Sequence, residues 1–393
     1  MFRRELIDNR ALTEQAGAFH PPYPERIGDF WGGQQTPTGA IVREDGSVLF
    51  RLYAPGMDRA EAVLTAFPDV QIDMIKNGEG FFEGVLPYSD RWRGPQDVRF
   101  YLDGTLFLHP QMPAHYRSFR QVNFVEIPDP ESEMILLRGV PHGQVVREVF
   151  YSRVRGSWQR INLYLPPQYR AGGEYPVLYL QHGLTENENE WIAMGKAPYI
   201  LDNLLADGKC VPFIVVMCDG MERLEGEGYW DFTSFGQMLL EEVIPFVEAN
   251  YRIRAEKSAR ALAGLSMGSE QASVIGLTHP ELFGALGMFS GFVRMDTKTP
   301  FFSCPHLRAL RDDPDYIRAN YDVFFRSIGE KDVYLPVFLE DRRHLTELGC
   351  SDAPCWHEIV YDGLTHDWGA FRRALRDFAQ LIFRPASPEG GTP

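Results

Sequence analysis

Apolar residues fall into two regimes along this chain. Between residues 41 and 127 they come as short alternating runs, SVLFRLYAP, AEAVLTAF, FFEGVLPY and DVRFYLDGTLFL, each bounded by Gly, Pro, Asp or Asn. Alternation turns every second side chain to one face, so this stretch predicts a small all-β sandwich with no long helix. Farther along, most of the runs YPVLYLQHG, FIVVMCDG, ARALAGLS, FGALGMFSG, DVFFRSIG and HEIVYDG are continuously apolar. Strands covered on both faces by helices read this way. A hairpin with strands over 151–154 and 160–165 opens this second region. The clearest helix is DFTSFGQMLLEEVIPFVEANY, where Phe235, Leu239, Val243, Phe246 and Val247 recur at spacings of three and four. The predicted fold is α/β, a doubly wound, mostly parallel sheet preceded by a smaller β-sandwich.

Punctuation divides the chain further. Residues 1–40 contain HPPYPERIGDFWGGQQTPTG and read as an irregular arm, since Pro and Gly interrupt regular structure. The sandwich is expected over 41–127, a Pro-rich acidic linker over 128–143, the α/β domain over 144–385 and a disordered tail over 386–393. Two domains suit a chain of 393 residues.

Charge narrows the partners. The net charge is −15, from 54 acidic and 39 basic residues, with no Lys/Arg run to follow a phosphate backbone, so nucleic acid is not expected. The same field works against a strongly anionic substrate. The first 20 residues lack the apolar block of a signal peptide, and no stretch is long and apolar enough for a membrane helix, which points to the cytoplasm. Five cysteines without a C-x-x-C pair indicate reduced thiols, with no disulfide framework and no zinc site.

The chemistry gathers around ARALAGLSMGSEQA, in which Gly264-Leu265-Ser266-Met267-Gly268 fits G-x-S-x-G between a strand run and a helical run. Such a turn exposes a serine hydroxyl, which needs a base to become a nucleophile and a carboxylate to orient that base. His366, in YDGLTHDW, follows the last strand and precedes the last helix, at the carboxyl end of a sheet strand where reactive groups collect. The acid is expected after DVFFRSIG, where Asp332 is favoured, Glu330 is its rival, and Asp352 and Asp362 are weaker choices. Oxyanion donors are expected at the amide of Met267 and, on the loop after YPVLYLQHG, at Leu184 beside Gly183. No metal or cofactor is called for.

The stretches RINLYLPPQY, VLYLQHGLTENENEW, EEVIPFVEANYRI, ARALAGLSMGS, THPELFGALGMFSG, SIGEKD and GLTHDW, spread in order over residues 140–383, resemble the esterase D group of α/β hydrolases. That group includes enterochelin esterases, bacterial feruloyl esterases and mycolyl transferases. The resemblance implies Ser266 as nucleophile, Asp332 as acid and His366 as base, with the Gly183–Leu184 loop helping to hold the oxyanion. Ser269 stands where the group often has a third glycine, and Glu270 follows it with a charge that can bear on substrate choice. GSVLFRLYAPGMDRAEAVLT is similar to the immunoglobulin-like domains that precede some of these esterases, which either bind carbohydrate or wall the active site. Trp31, Trp92, Phe81 and Phe82 are candidates for a sugar platform.

The expected activity is serine-dependent hydrolysis of a small-molecule ester, feruloyl or acetyl, on a plant-derived oligosaccharide. A siderophore ester is the alternative substrate, and a catalytically silent carbohydrate-binding protein is the alternative without an enzyme. Trp191, Trp230, Glu270 and Trp368 are candidate substrate contacts. Oligomeric state is open, and a homodimer is compatible with the sequence.

Overall fold

The computed structural model describes residues 38–222, 224–228, 231–291, 298 and 300–384, with backbone alone at 302. The expected arm, except for residues 38–40, and the expected tail lie outside the described residues. The chain divides into two compact units, Met1–Arg138 and Gly139–Pro393.

The first unit holds strands β1 Gly39–Val42, β2 Val48–Tyr53, β3 Ala60–Leu64, β4 Phe67–Lys76, β5 Phe81–Leu86, β6 Gly94–Leu102, β7 Thr105–Phe107, β8 Ala114–Arg117 and β9 Arg120–Ile127. Alternation in β3 is complete, with Ala60, Ala62 and Leu64 buried and Glu61 and Val63 less so. Hydrogen bonding links the strands in the order β1-β2-β5-β4-β3-β6-β9-β8, with β7 beside β6. The layers are thus joined in one continuous path, where the sequence alone predicts a simple sandwich. The link is β4, which pairs with β3 along most of its length and reaches β5 only at Ile75 and Lys76. Both halves share one core, in which Phe50 of β2 meets Phe100 of β6 edge-on at 5.6 Å. Phe82 belongs to that core at 1% exposure, so it is no sugar platform. Trp92 packs against Phe67, and Trp31 is outside the described residues.

The second unit is built on eight strands, β10 Gln144–Ser152, β11 Ser157–Leu165, β12 Val177–Gln181, β13 Ile214–Cys218, β14 Arg260–Leu265, β15 Ala285–Phe289, β16 Val323–Gly329 and β17 Trp356–Tyr361. Their order is β10-β11-β13-β12-β14-β15-β16-β17. The strands from β12 to β17 run parallel, and β10 and β11 form an antiparallel flank. Every residue of β12 to β16 is buried, as their mostly apolar runs lead one to expect, and Gln181, Arg260, Arg326 and Ser327 are buried with them. The hairpin differs from expectation in its bounds, because β10 starts at Gln144 and ends at Ser152. This outer strand keeps one face wet, so no apolar run marks where it begins.

Successive strand residues serve opposite faces of the sheet. On one face Leu262, Leu286 and Phe324 share a core with Phe235, Leu239 and Ile275. On the other, Phe289 and Phe325 contact Phe378 of the last helix. The helix predicted near 231–251 forms as Thr233–Met238, a π-turn Leu239–Val243 and Ile244–Asn250. Pro245 lacks the amide that would complete the regular ladder, and the wider π-turn lies immediately before it. After β12 the chain fills β13 on one side and then returns to add β14 on the other. This reversal leaves a crevice at the carboxyl ends of β12 and β14, the place where open α/β sheets hold their chemistry.

Candidate active site

Strand β14 ends at Leu265 and the helix Met267–Thr278 starts one residue past Ser266, so Ser266 alone makes the reversal, at φ 52° and ψ −117°. A residue with a β-carbon pays on the order of 1–3 kcal/mol in such a region. Neighbours hold it there. Ser266 N donates to Phe289 O at 3.0 Å, and Ser266 O accepts from Ser269 N at 2.9 Å and Ser269 Oγ at 2.6 Å. The serine that replaces a third glycine thus ties down the turn.

Gly264 and Gly268 are required by close approach and not by positive φ. A Cβ on Gly264 would sit 2.4 Å from Gly268 O, and one on Gly268 would sit 2.6 Å from His182 O. Gly268→Ala is therefore expected to lose about 1–3 kcal/mol of stability by overpacking and to lower turnover with it. Thermal melting and 4-nitrophenyl acetate hydrolysis check this, and an unchanged melt would show that the elbow has room to spare.

His366 lies on the loop between β17 and the helix Trp368–Ala379. Asp367 caps that helix, its Oδ1 accepting from Gly369 N at 2.9 Å and Ala370 N at 3.3 Å, while Thr365 Oγ1 donates to Oδ2 at 2.5 Å. The imidazole stands edge-on between Tyr334, at 5.0 Å, and Phe371, at 5.3 Å. Ser266 Oγ donates to His366 Nε2 at 2.9 Å, and His366 Nδ1 donates to Asp332 Oδ2 at 2.8 Å. The Asp332 side chain is fully buried and its other oxygen accepts from Tyr334 N at 2.9 Å. The structure therefore brings Ser266, His366 and Asp332 into one chain of hydrogen bonds.

Glu330 takes a different place. Its Oε2 accepts from Gly363 N at 3.0 Å, and its own amide donates to Tyr361 O at 2.8 Å. The bond from Gly363, followed by that from Lys331, holds its carboxyl below the ordinary range. Lys331 N donates to Leu364 O at 2.8 Å, and a Cβ on Gly329 would meet that same oxygen at 2.4 Å. Glu330 and Gly329 thus fasten the acid turn to the histidine loop. Asp362 is exposed beside Glu330, and Asp352 precedes β17, at the opposite end of that strand from His366.

The loop after β12 passes against the nucleophile, since a Cβ on Gly183 would sit 3.6 Å from Ser266 Cβ. Gly183 N is taken by Glu186 Oε2 at 3.0 Å, whereas the Leu184 amide has no acceptor among the described residues. Met267 opens the nucleophile helix, where the first turn's amides and the helix dipole favour negative charge.

Reading the sequence for a base after Ser266 passes over the residues that shape this loop. His182 is 1% exposed, its Nδ1 donates to Gly183 O at 2.7 Å, and its Nε2 accepts from Gly220 N at 3.0 Å. Gln271 Nε2 then donates to Gly220 O at 3.0 Å from the nucleophile helix. The signal was present in the polar QH pair closing an apolar strand just before a glycine.

Three expected substrate contacts, Trp191, Trp368 and Glu270, are corrected. Trp191 and Trp368 are 1% and 2% exposed and pack perpendicular to each other at 5.1 Å, and Trp191 Nε1 donates to Gln181 O at 2.9 Å. They are core residues that brace the site from within. Glu270 lies in the first turn of the nucleophile helix at only 7% exposure, so it does not present the open charge its position implied. Trp230 lies outside the described residues. Among the described residues no group of three His, Cys, Asp or Glu side chains converges to hold a metal, and no helix is long and apolar enough to cross a membrane.

The Esterase family model matches residues 152–319. The endo-1,4-beta-xylanase/feruloyl esterase of Xylanibacter ruminicola is 31% identical over 373 residues, covering 90% of this chain and 46% of that protein. Endo-1,4-beta-xylanase Y of Acetivibrio thermocellus is 34% identical over 137 residues, 32% of this chain and 12% of that protein. The chain thus spans less than half the length of these two curated relatives. In fold it is similar to the ferulic acid esterase of Anaeromyces mucronatus solved with ferulic acid, at TM-score 0.54 and 23% identity over 65% of this chain and 96% of that one. It is also similar to the enterobactin esterase of Shigella flexneri solved with enterobactin, at TM-score 0.61 and 16% identity over 85% of this chain and 92% of that one. With a family match across the elbow and a relative of the same kind along most of its length, the chain belongs to the esterase family.

Proposed function

We propose that the chain is a serine esterase that works through an acyl-enzyme, on an α/β-hydrolase domain behind an immunoglobulin-like domain. The observation that carries this reading is the continuous relay from Ser266 Oγ through His366 to the buried Asp332, with links of 2.9 and 2.8 Å. His366 Nε2 takes the Ser266 proton as Oγ bonds to the ester carbonyl carbon. The carbonyl becomes an oxyanion held by the amides of Leu184 and Met267. Collapse expels the alcohol, which receives the proton from His366, and leaves the acyl group on Ser266. Water, deprotonated by His366, repeats the sequence and releases the acid. Asp332 keeps Nδ1 protonated throughout and stabilises the imidazolium.

The preferred substrates are feruloyl esters of plant-derived oligosaccharides. The support is the relative named for both xylanase and feruloyl esterase, together with the net charge of −15, which works against a polyanionic substrate. The second reading, a siderophore ester, draws on the fold likeness to the enterobactin esterase. A turnover panel of methyl ferulate, acetylated xylooligosaccharide and ferric enterobactin separates them. Methyl ferulate is expected to give a kcat/KM at least about tenfold above the other two, a discrimination of about 1.4 kcal/mol. Faster turnover of ferric enterobactin would replace this reading with the second.

A further inference from the structure

On the first unit β6 changes partner along one edge. Its beginning pairs with β9, from Gly94 opposite Ile127 to Val98 opposite Asn123, and its end pairs with β7, from Phe100 opposite Phe107 to Leu102 opposite Thr105. The handover leaves a notch of about 140 Å³ lined by Val98, Arg99, Leu106, Leu108, Arg120 and Val122, among others. A cavity of roughly 150 Å³ holds one six-membered ring.

Two guanidinium groups line this notch and no carboxylate does, in a chain where acidic residues outnumber basic ones by 54 to 39. Arg99 Nε is buried with no acceptor, and neither Arg99 nor Arg120 forms a side-chain ion pair among the described residues. The carboxylate two residues before Arg99 is already engaged, since Asp97 bonds His115 at 2.7 Å and Arg117 at 2.9 Å. Glu61 is likewise held, by Arg59 and Gln71. A buried donor of this kind costs free energy until an acceptor reaches it, and a guanidinium is shaped to grip a carboxylate with two parallel bonds. The remaining walls are mostly apolar, with Gln121 and Asn123 among them, and Leu106 and Leu108 stay 41% and 45% exposed.

We propose that this notch binds a carboxylate carried on a single ring, with the carboxylate on Arg99 and Arg120 and the ring against Leu106 and Leu108. Two sources share that chemistry. One is the hydroxycinnamic acid that feruloyl ester cleavage releases, and the other is a uronic acid on a polysaccharide. The site lies apart from the Ser266 relay in sequence and unit, so it stands whether or not the proposed substrate is right.

The test is calorimetric titration of the full chain with ferulate, with D-glucuronate and with coniferyl alcohol, which keeps the aryl ring and lacks the carboxylate. Ferulate or glucuronate is expected to show a binding event that coniferyl alcohol lacks, that weakens with added salt, and that loses at least about tenfold in affinity in Arg99→Ala/Arg120→Ala. Which of the two acids binds identifies the source. Turnover of 4-nitrophenyl acetate is expected to stay within about twofold of wild type in that variant, which separates this site from the catalytic one. Arg120→Ala, at an exposed position, is expected to weaken the same event and guards against misfolding of the double variant; circular dichroism checks both. The proposal is overturned if neither acid binds, if coniferyl alcohol binds equally well, or if a folded Arg120→Ala chain binds as wild type does.

Discussion

Ser266→Ala is expected to abolish ester hydrolysis while leaving the fold intact. The hydroxyl is the atom to which the acyl group bonds, so its loss removes the covalent route entirely. What survives is the oxyanion site and substrate binding, and comparable losses in serine hydrolases amount to roughly 10⁴-fold or more in kcat. Removing Oγ frees His366 Nε2 but breaks none of the backbone bonds that hold residue 266, which run through its amide and carbonyl. Circular dichroism should match wild type. Retention of more than about a hundredth of wild-type kcat in a folded variant would take Ser266 out of the mechanism.

The second large effect separates two carboxylates that stand two residues apart. Asp332→Asn is expected to lower kcat by roughly 10³-fold or more with KM little changed, because an amide on Nδ1 favours the wrong tautomer and cannot stabilise the imidazolium. Glu330→Gln is expected to stay within about tenfold of wild type, since an amide oxygen can still accept the bond from Gly363 N. Steady-state kinetics on 4-nitrophenyl acetate reads both. An exchange of phenotypes would make Glu330 the acid, and silence of both would leave a Ser266–His366 dyad.

The parts of this architecture legible in the sequence are those set by short-range rules. The elbow is a strand, one reversing residue and a helix, all within a dozen positions, so its apolar run and its glycines announce it. In the structure Gly264 and Gly268 are points of close backbone contact, which is why the motif needs glycine there. The position of His366 follows from chain order and strand exits. Telling Asp332 from Glu330 depends on which side of one turn faces the sheet end, and the sequence leaned toward the residue that the structure places on Nδ1.

Long-range packing was less legible. Trp191 and Trp368 lie near site loops in sequence, yet Trp191 is drawn inward by its bond to Gln181 O and both by their contact with each other. Strand β4 alternates only over Val70, Ile72 and Met74, and Pro68 and Asp69 at its start and Lys76 at its end read as punctuation, so the pattern is too short to stand out. Its role as the link between two layers comes from partners far along the chain. His182 is marked in the sequence only by the polar QH pair that closes an apolar strand, and its partner Gly220 lies on a distant loop, so its task of holding Gly183 and Gly220 is hard to read from the sequence.

The central claim is that Ser266, activated by His366, forms a covalent bond to the acyl carbon. Treating the full chain with a small fluorophosphonate, then mapping the adduct by peptide mass spectrometry, tests it most directly. One adduct per chain is expected, on the peptide containing Ser266, with labelling greatly slowed in His366→Ala. Stoichiometric labelling at any other residue, or none in a folded chain that hydrolyses 4-nitrophenyl acetate, would contradict the account.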